Sequence, residues 1–254
     1  MKHYIKTLVL MLLLALSSNE AFAWCEITHK AILKAVEQRL TKPAKEEIVA
    51  VLGKPLSEVE FQKERKTTTL NTEGRSVTRE LEDAVVRLEN ALFALDNFDA
   101  YSDENKKKSL LIAIYHIVDI HSPANIKIEG LIDGDFEFYH NNGRERTNPR
   151  FKLTKLTWQR LWTKIFPGRH SAFSVDMYCA DIDIATRGKD KSYIGGNPRK
   201  WVEEIGREIR SIHSYCHEGA EINLDALLPL EEEHDECMYR AIYRLAYLLN
   251  KSLK

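Results

Sequence analysis

Glycine and proline are scarce in this chain, 11 and 7 among 254 residues. A sandwich or barrel of this length spends more of both on turns, so the shortage points to helices. No sign of charge is in excess: 37 Lys and Arg stand against 38 Asp and Glu, for a net charge of −1. That excludes a global nucleic-acid magnet and leaves room only for a local basic cleft. The four cysteines, Cys25, Cys179, Cys216 and Cys237, include no CxxC pair, which argues against a finger-type zinc-thiolate site. Internal repeats and domain linkers are missing too. With 44% hydrophobic and 30% charged residues, a disordered tail, a collagen-like repeat and a polytopic membrane protein are excluded.

What is there begins with a targeting signal. Lys2 and Lys6 precede an apolar run over residues 7–16, and Ala21-Phe22-Ala23 stands before Trp24. This reads as a secretory signal peptide over 1–23, too short in its apolar part to span a bilayer. The expected mature chain, 24–254, is a single domain, monomeric, secreted or periplasmic, with no membrane segment. Removing two Lys and one Glu leaves it with a net charge of −2. All four cysteines fall in it, and an oxidising compartment allows up to two disulfides, with three pairings open.

Helical periodicity dominates the rest. Ile27, Ala31, Ile32, Ala35, Val36 and Leu40 recur at one face, and Leu81, Val85, Leu88, Leu92 and Leu95 repeat the pattern. A third helix is predicted over about 105–121, after the cap signal Ser102/Asp103, with Pro123 ending it. A last one covers 235–249, with 201–213 as its partner. Lys106-Lys107-Lys108 reads as a solvated helix face. Two stretches are irregular, 60–75 and 125–155, and the second can hold a short hairpin closed at Asn142-Gly143.

Cleavage after Ala23 creates a ligand. The free α-amine and carbonyl oxygen of Trp24 can close a chelate ring on a divalent metal, and His29, in the first turn of the first helix, can add an imidazole. A carboxylate would complete the set. In Tyr115-His116-Ile117-Val118-Asp119-Ile120-His121-Ser122-Pro123, His116 and Asp119 are three apart and share a helix face. Taken alone, His-x-x-Asp in an apolar helix is more often an internal hydrogen-bonded pair than a ligand pair.

These residues carry a resemblance. Trp24-Cys-Glu-Ile-Thr-His29, then Leu40-Thr41-Lys42-Pro43-Ala44-Lys45, the segment Ile114 to Pro123 and the closing Arg244-Leu245-Ala246-Tyr247-Leu248-Leu249-Asn250 together resemble the secreted S1/P1 nuclease family over nearly the whole mature chain. The resemblance implies an all-α, single-domain fold of the phospholipase C/P1 nuclease type with a short irregular or hairpin insertion. It also implies three zinc ions in a cleft, with hydrolysis of single-stranded nucleic acid or 3′-nucleotides through metal-activated water.

Carried over residue by residue, it places Trp24, His29 and Asp119 as ligands of one zinc, with His116 a place late, since Tyr115 occupies the family's His position. Elsewhere the chain departs. Phe61-Gln62-Lys63 stands where W-A-D is expected, Asn125 where a His is expected, and no H-x-x-x-D lies between Thr147 and Thr163. His121, His140 or His170 would have to substitute. One ion is therefore expected where the family holds three, with His121 and Asn125 as neighbouring or substitute ligands. Two further readings stay open. One is a non-catalytic scaffold that binds nucleic acid, nucleotide or a protein, with at most one structural metal. The other is a phosphoesterase of the zinc-dependent phospholipase C type.

Overall fold

The computed structural model describes residues 24–60, 68–70, 79–131, 136–142, 144–169 and 174–253. The signal segment, Phe61-Gln62-Lys63 and His170 lie outside the described residues.

The protein is mostly helical, as the composition and periodicity predict. The first helix, α1 (Glu26–Arg39), buries Ala31, Ile32, Ala35 and Val36, and Leu40 follows it into the core. Thr41 caps α2 (Lys42–Leu52) by accepting from the Ala44 amide at 3.4 Å, with Pro43 in the first turn where no amide donor is needed. α3 (Arg79–Asp96) packs along α4 (Asp103–Ile120). The Ser102 hydroxyl caps α4, and Pro123 opens a 3₁₀ turn just beyond it. Lys107 and Lys108 are solvated, as predicted, while Lys106 lies over the Phe98 ring.

The C-terminal half adds α5 (Val175–Ala185), the short α6 (Asp190–Tyr193), α7 (Pro198–His213) and α8 (Leu224–Ser252). α8 starts eleven residues before the predicted 235, because Asn223 caps it by accepting from the Ala226 amide at 3.0 Å. Pro229 is carried inside the helix. Its stripe of Met238, Ile242, Leu245, Ala246 and Leu249 is buried throughout, and α8 packs on α1, α4 and α7. Burial of each large aliphatic member contributes about 1.5–3 kcal/mol. Among the described residues no helix is long and apolar enough to cross a membrane.

Two small sheets qualify the all-α expectation. β1 (Thr68–Leu70) pairs in parallel with β2 (Ile126–Ile128), crossing from one irregular stretch to the other. β3 (Glu137–Asn141) lies between β4 (Leu153–Thr157), antiparallel to it, and β5 (Glu221–Ile222), parallel to it. The hairpin expected in 125–155 therefore exists, but Asn142-Gly143 does not close it as a two-residue turn. The Asn142 side chain donates to the Arg150 carbonyl at 2.7 Å and accepts from the Lys152 amide at 3.2 Å, so it starts a longer connection. Beyond β4, Trp158–Arg160, Leu161–Ile165 and Phe166–Gly168 form a helical stretch whose middle is a π-helix.

All four cysteines are free thiols. Cys25 approaches the Thr28 hydroxyl at 3.2 Å, Cys179 donates to the Ala31 carbonyl, Cys237 donates to Glu233, and Cys216 is buried.

Candidate metal centres and the aromatic wall

The expected N-terminal ligands are spread over Trp24, the first turn of α1 and the last turns of α4. Trp24 is fully buried, and its indole N–H donates to the Val118 carbonyl at 3.1 Å, next to Asp119 in the chain. His29 is buried one turn into α1, where desolvation pushes its pKa down to about 3 and holds the imidazole neutral, the form that ligates a metal. α4 is an unbroken α-helix, so His116, buried, and Asp119, half-buried, keep neighbouring positions on it. Tyr115, where the resemblance expects a His, donates to the Glu60 carbonyl at 2.7 Å. In a chain processed to Trp24, the amine and carbonyl of Trp24, His29 and Asp119 would be the donor types that suit one ion.

Among the described residues a cluster of three ions finds no donor set. His121 is fully buried with both ring nitrogens engaged: Nε2 accepts from Arg244 Nη1 at 2.8 Å, and Nδ1 donates to the Ile117 carbonyl at 2.6 Å. Since a guanidinium can only donate, the tautomer is fixed and the imidazole is neutral. Burial, reinforced by the Arg244 cation, holds its pKa well below the usual range. Asn125 spends its amide on the Asp119 carbonyl at 3.2 Å, which leaves its buried Oδ1 without a hydrogen-bond partner among the described residues. His140, half-buried on β3, pairs across to Thr154 on the hairpin.

The stretch between Thr147 and Thr163, which holds no H-x-x-x-D, carries Trp158 and Trp162. The Trp158 indole donates to the Pro123 carbonyl at 3.3 Å, and its ring meets Trp162 edge-on at 5.1 Å and stacks on Phe136 at 5.3 Å. Trp162 in turn lies parallel to His234 at 6.4 Å, and His234 meets the Trp24 ring at 5.1 Å. A continuous aromatic wall thus runs from the N-terminus to the turn after α4. His234, which matches no ligand of the family, is part of that wall, with Nδ1 on Asp235 at 2.9 Å.

A second donor group lies between α7 and α8. Ligand atoms of Glu208, Glu233 and Cys237 all fall within 4.8 Å of one another, the only such trio of His, Cys, Asp or Glu among the described residues. It belongs to a ladder in which Arg240 Nη1 donates to Glu208 at 2.6 Å and to Glu233 at 3.3 Å, and Arg244 Nη2 donates to Glu204 at 2.6 Å. Three carboxylates thus face two guanidiniums. Burial, with Glu208 beside it, pushes the Glu233 carboxyl up to about 8, so a proton balances the extra charge. Sequence reading missed this trio. Its only signal is the i,i+4 spacing of Glu204 with Glu208 and of Glu233 with Cys237, on helices whose mutual packing the sequence does not state.

A surface groove of about 570 Å³, lined by Glu47, Asp96, Asp99 and Lys251 among others, includes none of the predicted ligands. No model of a known protein family matches the chain, and no curated protein matches it.

Proposed function

We propose that the mature chain is an exported helical scaffold of the S1/P1 nuclease type that binds nucleic acid or nucleotide, holds a single zinc at its N-terminus, and has lost the cluster that hydrolyses phosphodiesters. The observation that carries this reading is the commitment of His121 to Arg244 and to the Ile117 carbonyl. A ligand whose two nitrogens are spent inside the core cannot help rebuild a second or third metal position. The aromatic wall supports the same conclusion, since Trp158 and Trp162 offer no metal donor where an imidazole and a carboxylate are required.

Trp24, His29 and Asp119 would hold the remaining ion. Such an ion would supply Lewis acidity and a fastening between the N-terminus and α4. A phosphodiester also needs a second cation on its oxygens while charge builds on the leaving group, and among the described residues the one trio of donor atoms close enough to hold another ion lies between α7 and α8.

The test is metal content and turnover of protein processed to Trp24. About one zinc per chain is expected, with single-strand cleavage and 3′-nucleotide hydrolysis slower than in an intact family member by on the order of 10³ or more. Three zincs per chain, with robust turnover that His29→Ala abolishes, would overturn the reading.

A further inference from the structure

We infer that the loop joining β3 to β4, residues 144–152, is a docking site for the phosphate backbone of single-stranded nucleic acid. This names a partner surface for the scaffold just proposed and rests on that reading.

The net charge hides an asymmetry along the chain. Residues 144–169 carry eight Lys and Arg against Glu145 alone, a net charge of +7, so the other 228 residues carry −8. The positive stretch begins abruptly, because Glu129, Asp133, Asp135 and Glu137 precede it. Three of its cations have acidic partners: Arg146 with Glu221, Lys155 with Glu137 at 2.6 Å, and Arg169 with Glu231. Arg144, Arg150, Lys152, Arg160 and Lys164 are exposed and make no ion pair among the described residues.

Three of these five fall in the loop, which its own hydrogen bonds shape. Asn142 ties its two ends together through the Arg150 carbonyl and the Lys152 amide. Asn148 turns it, with its side chain accepting from the Arg150 amide at 2.8 Å and its carbonyl from the Phe151 amide at 2.8 Å. Arg146 lies over the Phe151 ring at 5.6 Å, so an aromatic face and a planar cation stand beside the unpaired charges. A built loop that presents arginines without acidic partners lowers the ordering cost of gripping phosphates, and guanidiniums match phosphate oxygens bidentately.

A single strand suits this surface better than a lipid bilayer. Bilayer docking calls for a continuous apolar face beside the cations, and Leu153 is the one large aliphatic exposed along 144–157. A flexible strand can follow a narrow loop and stack a base on a neighbouring ring.

The experiment measures binding of a fluorescent oligothymidylate to mature protein at several salt concentrations. The variants are Arg144→Glu/Arg150→Glu/Lys152→Glu and, as a charge-matched control, Lys106→Glu/Lys107→Glu/Lys108→Glu. Three phosphate contacts predict that the loop variant loses at least about tenfold in affinity and that its log–log salt slope falls by about 2, at roughly 0.7 per contact. The control should keep both within about twofold of the parent. The neutral variant Arg150→Gln/Lys152→Gln, checked by circular dichroism, gives the same test without charge reversal should the first fail to fold. Equal losses in loop and control variants, or binding to phosphatidylglycerol vesicles without binding to the oligonucleotide, would overturn the inference. Either result leaves the metal and turnover measurements untouched, so failure of the docking site is distinguishable from failure of the scaffold reading.

Discussion

The assignment of His121 as a structural imidazole makes a quantitative prediction about Arg244→Met, which keeps an apolar stem and removes the guanidinium. Three interactions go. The ion pair to Glu204 is discounted to about 1 kcal/mol, because the glutamate side chain is 31% exposed. His121 Nε2, wholly buried, loses its donor, at about 1–3 kcal/mol. The cation over the Trp201 ring, 5.3 Å from its centroid, contributes a further ~0.5–1 kcal/mol. Relief of the desolvation of a buried guanidinium offsets part of the sum, so a net loss of about 3 kcal/mol is expected. For a chain of this size that is a fall in Tm of roughly 6–12 °C.

The control is Arg199→Met, whose pair with Glu89 is 49% and 37% exposed and should change stability by less than about 1 kcal/mol. Adding His121→Leu to Arg244→Met removes the orphaned acceptor, so the double variant should lose less than the two single losses added. Thermal unfolding followed by circular dichroism reads all of these. If Arg244→Met melts within about 2 °C of Arg199→Met, the bond to His121 is not holding the core and the argument against His121 as a ligand collapses.

Further outcomes follow from the same geometry. Glu233→Gln should stabilise the protein more at pH 8.5 than at pH 5.5 in urea unfolding. The parent carboxyl titrates near 8 when folded and near 4.5 when unfolded, so the stability it contributes is lost as pH rises across that window, and a pH-independent difference would contradict it. In chelator, stability should fall as pH drops below about 6.5, because buried His29, with a folded pKa of about 3, must stay neutral while the unfolded imidazole takes up a proton. That difference amounts to about 2 kcal/mol at pH 5, and His29→Leu should flatten the profile. Gly196→Ala should cost about 1–3 kcal/mol in urea unfolding, since φ is +78° and an added Cβ would lie 2.7 Å from Trp201 Nε1; a cost near zero would mean the Gly195-Gly196 turn shifts freely.

The helices were legible because their information is local. Stripes at spacings of three and four, the Ser102 cap and the Pro123 stop act within a few residues of where they are read. The strands were not, because each needs a partner far away in the chain: Thr68 pairs with Ile126, and His140 with Ile222. Asn142-Gly143 misled for a local reason, since an Asn side chain can bridge two backbone groups of a longer loop as readily as enter a two-residue turn. In the candidate site, the approach of Trp24 to the Asp119 turn was readable from the resemblance alone. The role of His121 was not, because it is set by Arg244, 123 residues later on another helix. Glu208, Glu233 and Cys237 escaped notice for the same reason.

The donor chemistry of the core fixes the final prediction. A trinuclear cleft gathers carboxylates and imidazoles whose mutual repulsion and desolvation only bound ions offset, so such a protein is expected to lose its structure when stripped of metal. Here Trp158, Trp162 and His234 form a wall of packed rings, His121 is saturated by protein groups, and the remaining charge excess between α7 and α8 is balanced by a proton. The core therefore requires no ion. A single N-terminal zinc would add only its mass-action share, about 2.7 kcal/mol at a free concentration a hundred times its Kd, or roughly 5–11 °C in Tm. Treating zinc-loaded mature protein with a chelator should lower Tm by that amount and leave the far-UV circular dichroism at 25 °C unchanged. Extending the N-terminus by one residue should abolish the difference between loaded and stripped protein, because the α-amine becomes an amide that no longer donates as a neutral nitrogen. Unfolding of the stripped protein at 25 °C would show that the aromatic wall does not replace the cluster, and an undiminished zinc effect in the extended chain would place the ion elsewhere, with Glu208, Glu233 and Cys237 as the first set to mutate.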